Sequence, residues 1–455
     1  MTKTTSSPRR EIAALAIPVS LEMVVALVMN FINQVVVGGL GTTAIAAVGF
    51  VNSITFIALI TLGALGGSVS IMAARAHGGG RLHELNALVH VALVVGFVTS
   101  AALVTLPALF PEHVLRTAGG SSTVIAAGAS YLRISAIALL PNIAARVISG
   151  VLRSTGHTRG PLIATTVATI LNTVMGFVLV YGVGPFPRFG IRGAAIASVI
   201  AGLLNLLIVC VMAYGVERII RWEFPLTRSE WWELLRPLFV FAAPLALTEL
   251  VWSLGGYLYN VVFQRLGDDA LAAAQIAGTL EAVFILASFG LSTATTTLVG
   301  RSLGQGDALA ATQWIARLNR AGYATSTVFG LLYLGSALLL PWLFPHVSPE
   351  VRILAATGIA LAAFTQWAKV QNMVIGGGAL PSGSDMKGVV AGDSMGVIIG
   401  LPAAVLLGVI GPFGFVGVVL GRTVEELVKF AIFTHRLRRV NWQSLAQQHG
   451  PASEQ

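Results

Sequence analysis

Long apolar stretches separated by short polar connections run along the whole chain. Each stretch has roughly 20 or more residues, the length that an α-helix needs to cross the ~30 Å hydrocarbon core of a bilayer. The pattern predicts an all-α polytopic membrane protein with about twelve transmembrane helices. They are expected at residues 13–38, 44–74, 87–110, 123–151, 160–183 and 191–215, and then at 238–264, 270–300, 312–340, 351–378, 387–408 and 413–435.

The chain also repeats itself. Residues 18–80 align without a gap on residues 244–306, at an offset of 226, and both copies close with Arg-x-x-Gly-x-Gly. The later part repeats at an offset of 227, where Gly-Pro-Phe occurs at 184–186 and again at 411–413. Six helices per copy, an even number, predict two six-helix bundles related by a pseudo-twofold axis along the membrane normal. A membrane protein with two such halves is most often a transporter.

The repeat and the polar connections predict the domain organisation. The expected segments are an N-terminal six-helix lobe at 1–216, a cytoplasmic linker between the lobes at 217–236, a C-terminal six-helix lobe at 237–440 and a polar, disordered tail at 441–455. No connection is long enough for a further domain.

Composition and charge narrow the class of protein. The chain is 55% hydrophobic and only 10% charged, whereas soluble domains carry about 25% charged residues. The net charge of +9 could suggest nucleic acid, but the basic residues concentrate in alternate loops. That distribution predicts a multi-pass protein of the cell membrane, embedded in the lipid bilayer, with both termini cytoplasmic and no nucleic-acid partner. The single Cys210 in an apolar run excludes a disulfide framework.

Four short segments resemble the MATE family (multidrug and toxic compound extrusion) of the MOP flippase superfamily. They are residues 38–49, 150–161, 190–197 and 272–277. Their order, spacing and duplication carry the resemblance, which covers about residues 11–436. It implies a secondary active antiporter that exports amphipathic cationic compounds against inward proton or sodium flow, by alternating access between two lobes.

The chain departs from the family pattern at three places. Asn33 stands where many members carry an Asp in helix one that takes part in cation coupling. Trp252 stands where some members carry a Glu in helix seven, although Glu249 lies about one turn earlier, a position that some relatives use. The loop at 380–385 lacks the Arg and the Gly-Asp-Thr usual in the family.

Ionisable residues inside the spans are candidates for function, because a charge at the bilayer centre costs at least about 2.5–3.5 kcal/mol. Glu249 and Glu281 each lie about eleven residues into a predicted helix, near the midplane, on helices joined by a hairpin. Two close carboxylates in a low dielectric resist double ionisation, which suits proton coupling. The same pair could hold Na⁺; no other metal site is expected. A hydrogen-bonded structural pair is the alternative.

Lys369 is the unusual cation of the second half, since its charge must be paired or lose its proton. Glu249, Glu281 and Asp393 are its candidate partners. Substrate or proton binding would then compete with the lysine, unless the pair is a permanent structural one. Asp393 could also serve as a helix cap or loop residue near the cytoplasmic face.

The first half offers fewer charges. Glu22 and Asn33 are eleven residues apart on one helical face, so they could line one cavity wall, although Glu22 could equally be a satisfied structural carboxylate. The remaining cavity candidates are polar or aromatic: Asn142, Asn172, Gln275, Gln366, Asn372, Phe31, Trp252, Tyr257 and Phe284.

The repeat does not extend to the chemistry. Glu281 lies over Thr55, and Lys369 lies over Asn142, so the second half is the expected location of ion coupling. The sequence contains no nucleotide-binding loop and no group of residues typical of a catalytic site, so we expect neither an enzyme nor a bound cofactor. The expected protein is a monomeric carrier coupled to H⁺ or Na⁺. A lipid-linked precursor flippase of the same superfamily, or a membrane enzyme or channel, is the alternative.

Overall fold

The computed structural model describes residues 7–223 and 227–450 of the chain, and within these residues it is helical without any strand. The first copy of the repeat forms eight helices. They are α1 (Pro8–Gly38), α2 (Thr42–Gly78), α3 (Leu82–Leu109), α4 (Pro111–Thr117), α5 (Ser122–Ile137), α6 (Leu139–Ser154), α7 (Arg159–Tyr181) and α8 (Ile191–Cys210), the last continued by a π-helical turn at Val211–Val216.

The second copy forms nine helices in the same order of long segments. They are α9 (Arg228–Arg265), α10 (Asp268–Gly304), α11 (Ala308–Ser336), α12 (Leu340–Leu343), α13 (Pro349–Val374), α14 (Leu380–Ser382), α15 (Met386–Ala404), α16 (Gly414–Arg439) and α17 (Trp442–His449). Short 3₁₀ or π-helical turns at Ala337–Leu339, Ile375–Ala379 and Val405–Ile410 join or extend them.

Ten helical segments of the described chain are long and apolar enough to cross a membrane. Two more are of similar length: α2 has 37 residues, and α16 has 26 residues, about 39 Å at 1.5 Å per residue. The prediction of an all-α chain with about twelve long helices is confirmed. α16 is less apolar than the others because charged residues occupy its middle.

Two boundaries differ from the prediction. The segment assigned to the linker at 217–236 becomes helical at Arg228, because Thr227 and Glu230 form a capping box in which each side chain accepts the other's backbone N–H, at 3.2 and 3.1 Å. The tail was expected to be disordered from residue 441, but α17 occupies most of it. The Asn441 side chain caps this helix by accepting the Ser444 N–H at 3.1 Å.

The chain divides into two compact units. The N-terminal unit comprises Leu21–His77 and Arg81–Ala246, and the C-terminal unit comprises the chain from Leu247 onward together with the residues up to Ser20 and Gly78–Gly80. α1 and α9 therefore each contribute to both units. The two division points are 226 residues apart, as are the repeats, and each lies three residues after a proline of the aligned pair, Pro18 or Pro244.

The core of the N-terminal unit is built from α2, α3, α6 and α8. Leu88 of α3 and Ile148 of α6 are almost fully buried within it. The helices approach closely where Gly150 of α6 faces α2: an added Cβ would lie 2.7 Å from the Gly66 carbonyl oxygen. Small residues thus set the spacing of these helices, as is usual in membranes.

The main core of the C-terminal unit packs α9, α10, α11, α13 and α16 together. Its buried aromatic side chains are Tyr259, Phe263, Tyr333 and Phe415, and the Tyr333 hydroxyl donates to the Ala277 carbonyl oxygen at 3.0 Å. This arrangement brings the middle of α10, α13 and α16 face to face, and these are the helices that carry the charged residues.

Candidate functional site

A small cavity lies inside the C-terminal unit, between α9, α10, α11, α13 and α16. Its volume is about 30 Å³, enough for one or two water molecules, each of which needs roughly 10–15 Å³. Its walls combine aromatic and charged side chains, which include Phe263, Tyr333, Glu281, Lys369 and Arg422. A cavity of this volume accommodates a water molecule or a small ion, but it is too small for a drug-sized molecule.

Glu281 of α10 and Lys369 of α13 form an ion pair at the wall of this cavity, through Oε1 and Nζ. The same carboxylate oxygen accepts a hydrogen bond from the Gln366 side chain at 2.8 Å. Glu281 is 8% exposed and Lys369 is 9% exposed. Of the three partners considered for Lys369 from the sequence, the structure selects Glu281, because α10 and α13 pack against each other at this level.

Charged residues on α16 surround this pair. Arg422 lines the cavity, and its guanidinium lies 5.4 Å from the centre of the Tyr259 ring. Further along α16, the Lys429 ammonium bonds the Glu425 carboxylate at 2.6 Å. Arg422 interacts electrostatically with both Glu281 and Glu425, so one connected network extends from α10 to α16.

Asn372 and Asp393 extend the network to α13 and α15. The Asn372 amide donates to the Glu426 carboxylate and to the Glu426 carbonyl oxygen, each at 2.9 Å. Asp393 is half-buried and interacts electrostatically with Lys429, Glu426 and Glu249.

The predicted pairing of Glu249 with Glu281 stays a prediction. Glu281 is buried and bonded to Lys369, whereas Glu249 is exposed on α9 and has Asp393 as its carboxylate neighbour. Across residues 7–223 and 227–450, no group of three or more His, Cys, Asp or Glu side chains is arranged to hold a metal ion.

Sequence reasoning missed the charged stripe of α16, which consists of Arg422, Glu425, Glu426 and Lys429. The segment 413–435 was predicted as a transmembrane helix, and none of its charged residues was among the predicted site residues. Their spacing of i, i+3, i+4 and i+7 places all four on one side of a helix, and this pattern inside a membrane-length segment was the available signal.

In the N-terminal unit, Glu22 is buried at 5% exposure and bonded to Arg153, whose Nη2 lies 2.9 Å from Oε1. Thr165 of α7 donates to the same oxygen at 3.4 Å, and Asn205 of α8 donates to Thr165 at 3.5 Å. Asn33, eleven residues after Glu22 on α1, is half-buried. Arg153 was not among the predicted site residues, although it lies in the last turn of α6, inside the segment 150–161 that carries the family resemblance.

The other predicted site residues are dispersed. Asn172 donates to the Ser198 hydroxyl at 3.2 Å, Asn142 donates to the Ala138 carbonyl oxygen at 2.6 Å, and Gln275 donates to Asn260 at 3.1 Å. Each of these bonds lies within one unit and apart from the Glu281 network.

Three of the four aromatic candidates are largely exposed on their helices: Phe31, Trp252 and Tyr257. Phe284 is different, since its ring packs 5.7 Å from that of Tyr333 in the core of the C-terminal unit. The role predicted for Phe284 in a cavity wall stays a prediction.

A family model described as MatE matches the chain twice, at residues 18–178 and 244–406. The chain belongs to the MatE family. The two matched segments start 226 residues apart, as the internal repeat does, so each half of the chain is one copy of the family's unit. The protein is therefore a multi-pass membrane protein of a transporter family, as the resemblance in the sequence predicted.

Relatives in several bacteria agree with this assignment. A probable multidrug resistance protein NorM of Bradyrhizobium diazoefficiens is 26% identical over 94% of this chain and 92% of its own length. A NorM of Thermotoga maritima is 24% identical over 76% of this chain and 72% of its own. An FAD transporter of Shewanella oneidensis is 26% identical, but the match spans only 61% of this chain and 60% of that protein.

Solved structures show the same fold. A multidrug resistance MATE family transporter of the MOP superfamily, in an outward-facing conformation, has a TM-score of 0.86 at 18% identity, over 98% of this MatE chain and 99% of its own. A MOP superfamily transporter from Pyrococcus furiosus has a TM-score of 0.83 at 19% identity, over 97% and 99% of the two chains.

Proposed function

We propose that this MatE protein is a secondary active antiporter that exports amphipathic compounds against inward proton or sodium flow. The ion pair between Glu281 and Lys369, buried beside the cavity of the C-terminal unit, is the observation that carries the proposal. A charge in the membrane interior is costly and is normally retained for transport. The coupling ion binds in the C-terminal unit, where the second copy of the repeat has gained its charges.

The Glu281–Lys369 pair allows one cation to replace another at Glu281, which ion-coupled transport requires. With no ion bound, the Lys369 ammonium neutralises Glu281. A proton or Na⁺ that reaches Glu281 replaces the lysine, because one buried carboxylate cannot stabilise two cations equally. Lys369 must then find other acceptors, and Glu426 lies within its electrostatic reach. The site therefore has two arrangements with different partners, which an ion gradient can interconvert.

The substrate is expected to be an amphipathic cation, since carboxylates outnumber basic side chains in this network and aromatic rings line the cavity. The named relatives described as multidrug resistance proteins support this class. An anionic flavin-type compound is the second candidate, because Lys369 and Arg422 also line the cavity and one relative is an FAD transporter.

The membrane arrangement follows from the charge distribution. We place the protein in the cell membrane with both termini in the cytoplasm, since the arginines and lysines concentrate in alternate loops. It acts as a monomer without a cofactor, by alternating access of its two halves.

Transport in liposomes tests the proposal. The purified protein should accumulate a fluorescent organic cation when a proton or a sodium gradient is imposed, and it should accumulate little without a gradient. FAD in place of the cation tests the second candidate under the same gradients. Absence of gradient-driven movement for both compounds, under both ions, would refute an antiporter.

A further inference from the structure

A second charged centre lies beyond the Glu281–Lys369 pair, where α15 meets α16. It contains three carboxylates, from Asp393, Glu425 and Glu426. Lys429 bonds Glu425 at 2.6 Å, and Asn372 donates to Glu426 at 2.9 Å. Asp393 forms none of the ion pairs or hydrogen bonds found among the described residues.

A row of glycines on α15 makes room for this centre. Gly392, Gly396 and Gly400 recur every four residues and face α16. A Cβ added at Gly396 would lie 2.6 Å from Cγ of Lys429, and one added at Gly400 would lie 2.5 Å from Cβ of Glu425. The stem of Lys429 therefore lies directly against α15, one turn from Asp393. Its ammonium interacts electrostatically with Asp393 as well as with Glu425.

The charges of the centre and its surroundings do not balance. Four carboxylates share the interior of the C-terminal unit with three basic groups: Glu281 from α10, Asp393 from α15 and Glu425 and Glu426 from α16, against Lys369 from α13 and Arg422 and Lys429 from α16. Glu249 of α9 is exposed and adds a fifth negative charge that acts on Asp393. An excess of negative charge is strongly unfavourable in a low-dielectric interior, so protonation of a carboxylate relieves it.

The bonding pattern indicates which carboxylate takes the proton. Glu281 and Glu425 each hold a lysine, and Glu426 accepts from Asn372. Asp393 has no such donor, and three of the four charges that act on it are the carboxylates of Glu249, Glu425 and Glu426. Protonation of Asp393 therefore removes the most repulsion at the smallest loss of hydrogen bonding.

An unpaired acceptor beside the centre also indicates a proton carrier. The Oδ1 atom of Asn372 is buried and has no hydrogen-bond donor among the described residues, and Asn372 is only 8% exposed. Its amide nitrogen is already committed to Glu426. A buried carbonyl oxygen of this kind is normally satisfied by an ordered water or by an acidic proton.

We propose that Asp393 is a proton-binding carboxyl and that Lys429 moves between Glu425 and Asp393 as this proton is released and taken up. On protonation, Asp393 becomes neutral and the Lys429 ammonium remains with Glu425, as in the present arrangement. On release of the proton, the ammonium is shared between Asp393 and Glu425. The use of this proton in transport rests on the proposed function, whereas the binding of the proton by Asp393 does not.

Infrared spectroscopy of the purified full-length protein tests the assignment without any substrate. The protein is held in an alkyl maltoside, which has no carbonyl group, at about pH 6, above the range in which exposed carboxylates titrate. The wild type should show the carbonyl-stretch band of a protonated carboxyl, which declines as the pH is raised. Asp393→Asn should lose this band.

Asp385→Asn is the matched control and should keep the band, since Asp385 lies outside the membrane-spanning segments and is paired with Arg436. If Asp393→Asn does not fold, Asp393→Glu gives the same information, because the band should move to the frequency of a glutamic acid. A wild type without the band, a band that persists in Asp393→Asn, or an unchanged frequency in Asp393→Glu would overturn the proposal. Failed transport with an intact band would instead refute the antiporter.

Discussion

At the residue scale, Glu281 and Lys369 carry two of the buried charges of the C-terminal unit. Glu281 and Lys369 are each about nine-tenths buried and bonded to each other. A buried ion pair of this kind contributes little to stability compared with an apolar pair of the same size, because the desolvation of both ions offsets their attraction. Removal of only one partner is costly, since the other charge is then left in an apolar interior.

Lys369→Met should therefore destabilise the protein, whereas the double variant Glu281→Leu/Lys369→Met should recover most of the loss. The expected loss for the single variant is about 3–5 kcal/mol, moderated by the remaining hydrogen bond from Gln366 to Glu281. Denaturant unfolding in mixed micelles measures both. A single variant as stable as the wild type would mean that Glu281 carries no charge when Lys369 is absent.

The sequence was sufficient to select Glu281 and Lys369, because a charge inside an apolar span is visible as such. It was not sufficient to choose the partner of Lys369 among three acids, since that choice depends on which faces of α10 and α13 meet. Arg422 and Lys429 were not predicted, because the length of their segment indicates a transmembrane helix and only the spacing of its charges indicates a charged face.

At the element scale, helix ends are determined by local capping. Asp385 begins α15 by accepting the Gly388 N–H at 3.0 Å, and the same carboxylate receives two hydrogen bonds from Arg436 of α16. Burial by itself would raise the pKa of Asp385, but the hydrogen bonds from Arg436 and Gly388 outweigh it and hold the pKa below the ordinary value of 3.8. Asp385 thus both caps α15 and links it to α16.

Asp385→Asn should lower the stability of the protein near neutral pH by about 1–3 kcal/mol, because Asn caps a helix about as well as Asp but cannot pair with Arg436. A lowered pKa means that the stabilisation is complete above pH 3.8 and is lost as the pH falls through the lowered value. The difference in unfolding midpoint between variant and wild type should therefore shrink in acid.

Asp307 is the matched control, since it caps α11 by accepting the Ala310 N–H at 2.8 Å and Asp307→Asn should change the midpoint little. A loss of stability in Asp385→Asn that does not depend on pH would contradict the ion pair with Arg436.

The long elements were predictable because apolar runs of membrane length have few alternatives. The start of α9 and the existence of α17 were not predicted, although Thr227-x-x-Glu230 and the cap at Asn441 are local signals. α17 also depends on tertiary packing, because Ala446 is buried against α10 and α11. The sequence of the eight residues of α17 does not indicate that contact.

At the scale of the whole molecule, the helical scaffold is duplicated, but the buried charged residues are not. Each half supplies six long helical segments and one MatE match. Glu22 and Arg153 form the buried ion pair of the N-terminal unit, while two buried lysine–glutamate pairs and the Arg422 guanidinium occupy the C-terminal unit. The proposed function therefore predicts ion coupling in the C-terminal unit and a structural role for the Glu22–Arg153 pair.

The most direct test of this account compares Glu281→Gln with Glu22→Gln in the same liposome transport assay, under whichever ion gradient drives the wild type. Both changes neutralise one buried carboxylate that is bonded to a basic side chain, so they match in chemistry and differ in unit. The account predicts that Glu281→Gln lowers gradient-driven accumulation about tenfold or more, which corresponds to a loss of about 1.4 kcal/mol of coupling free energy. Glu22→Gln should retain most of the accumulation. Wild-type accumulation by Glu281→Gln, with loss in Glu22→Gln, would contradict it.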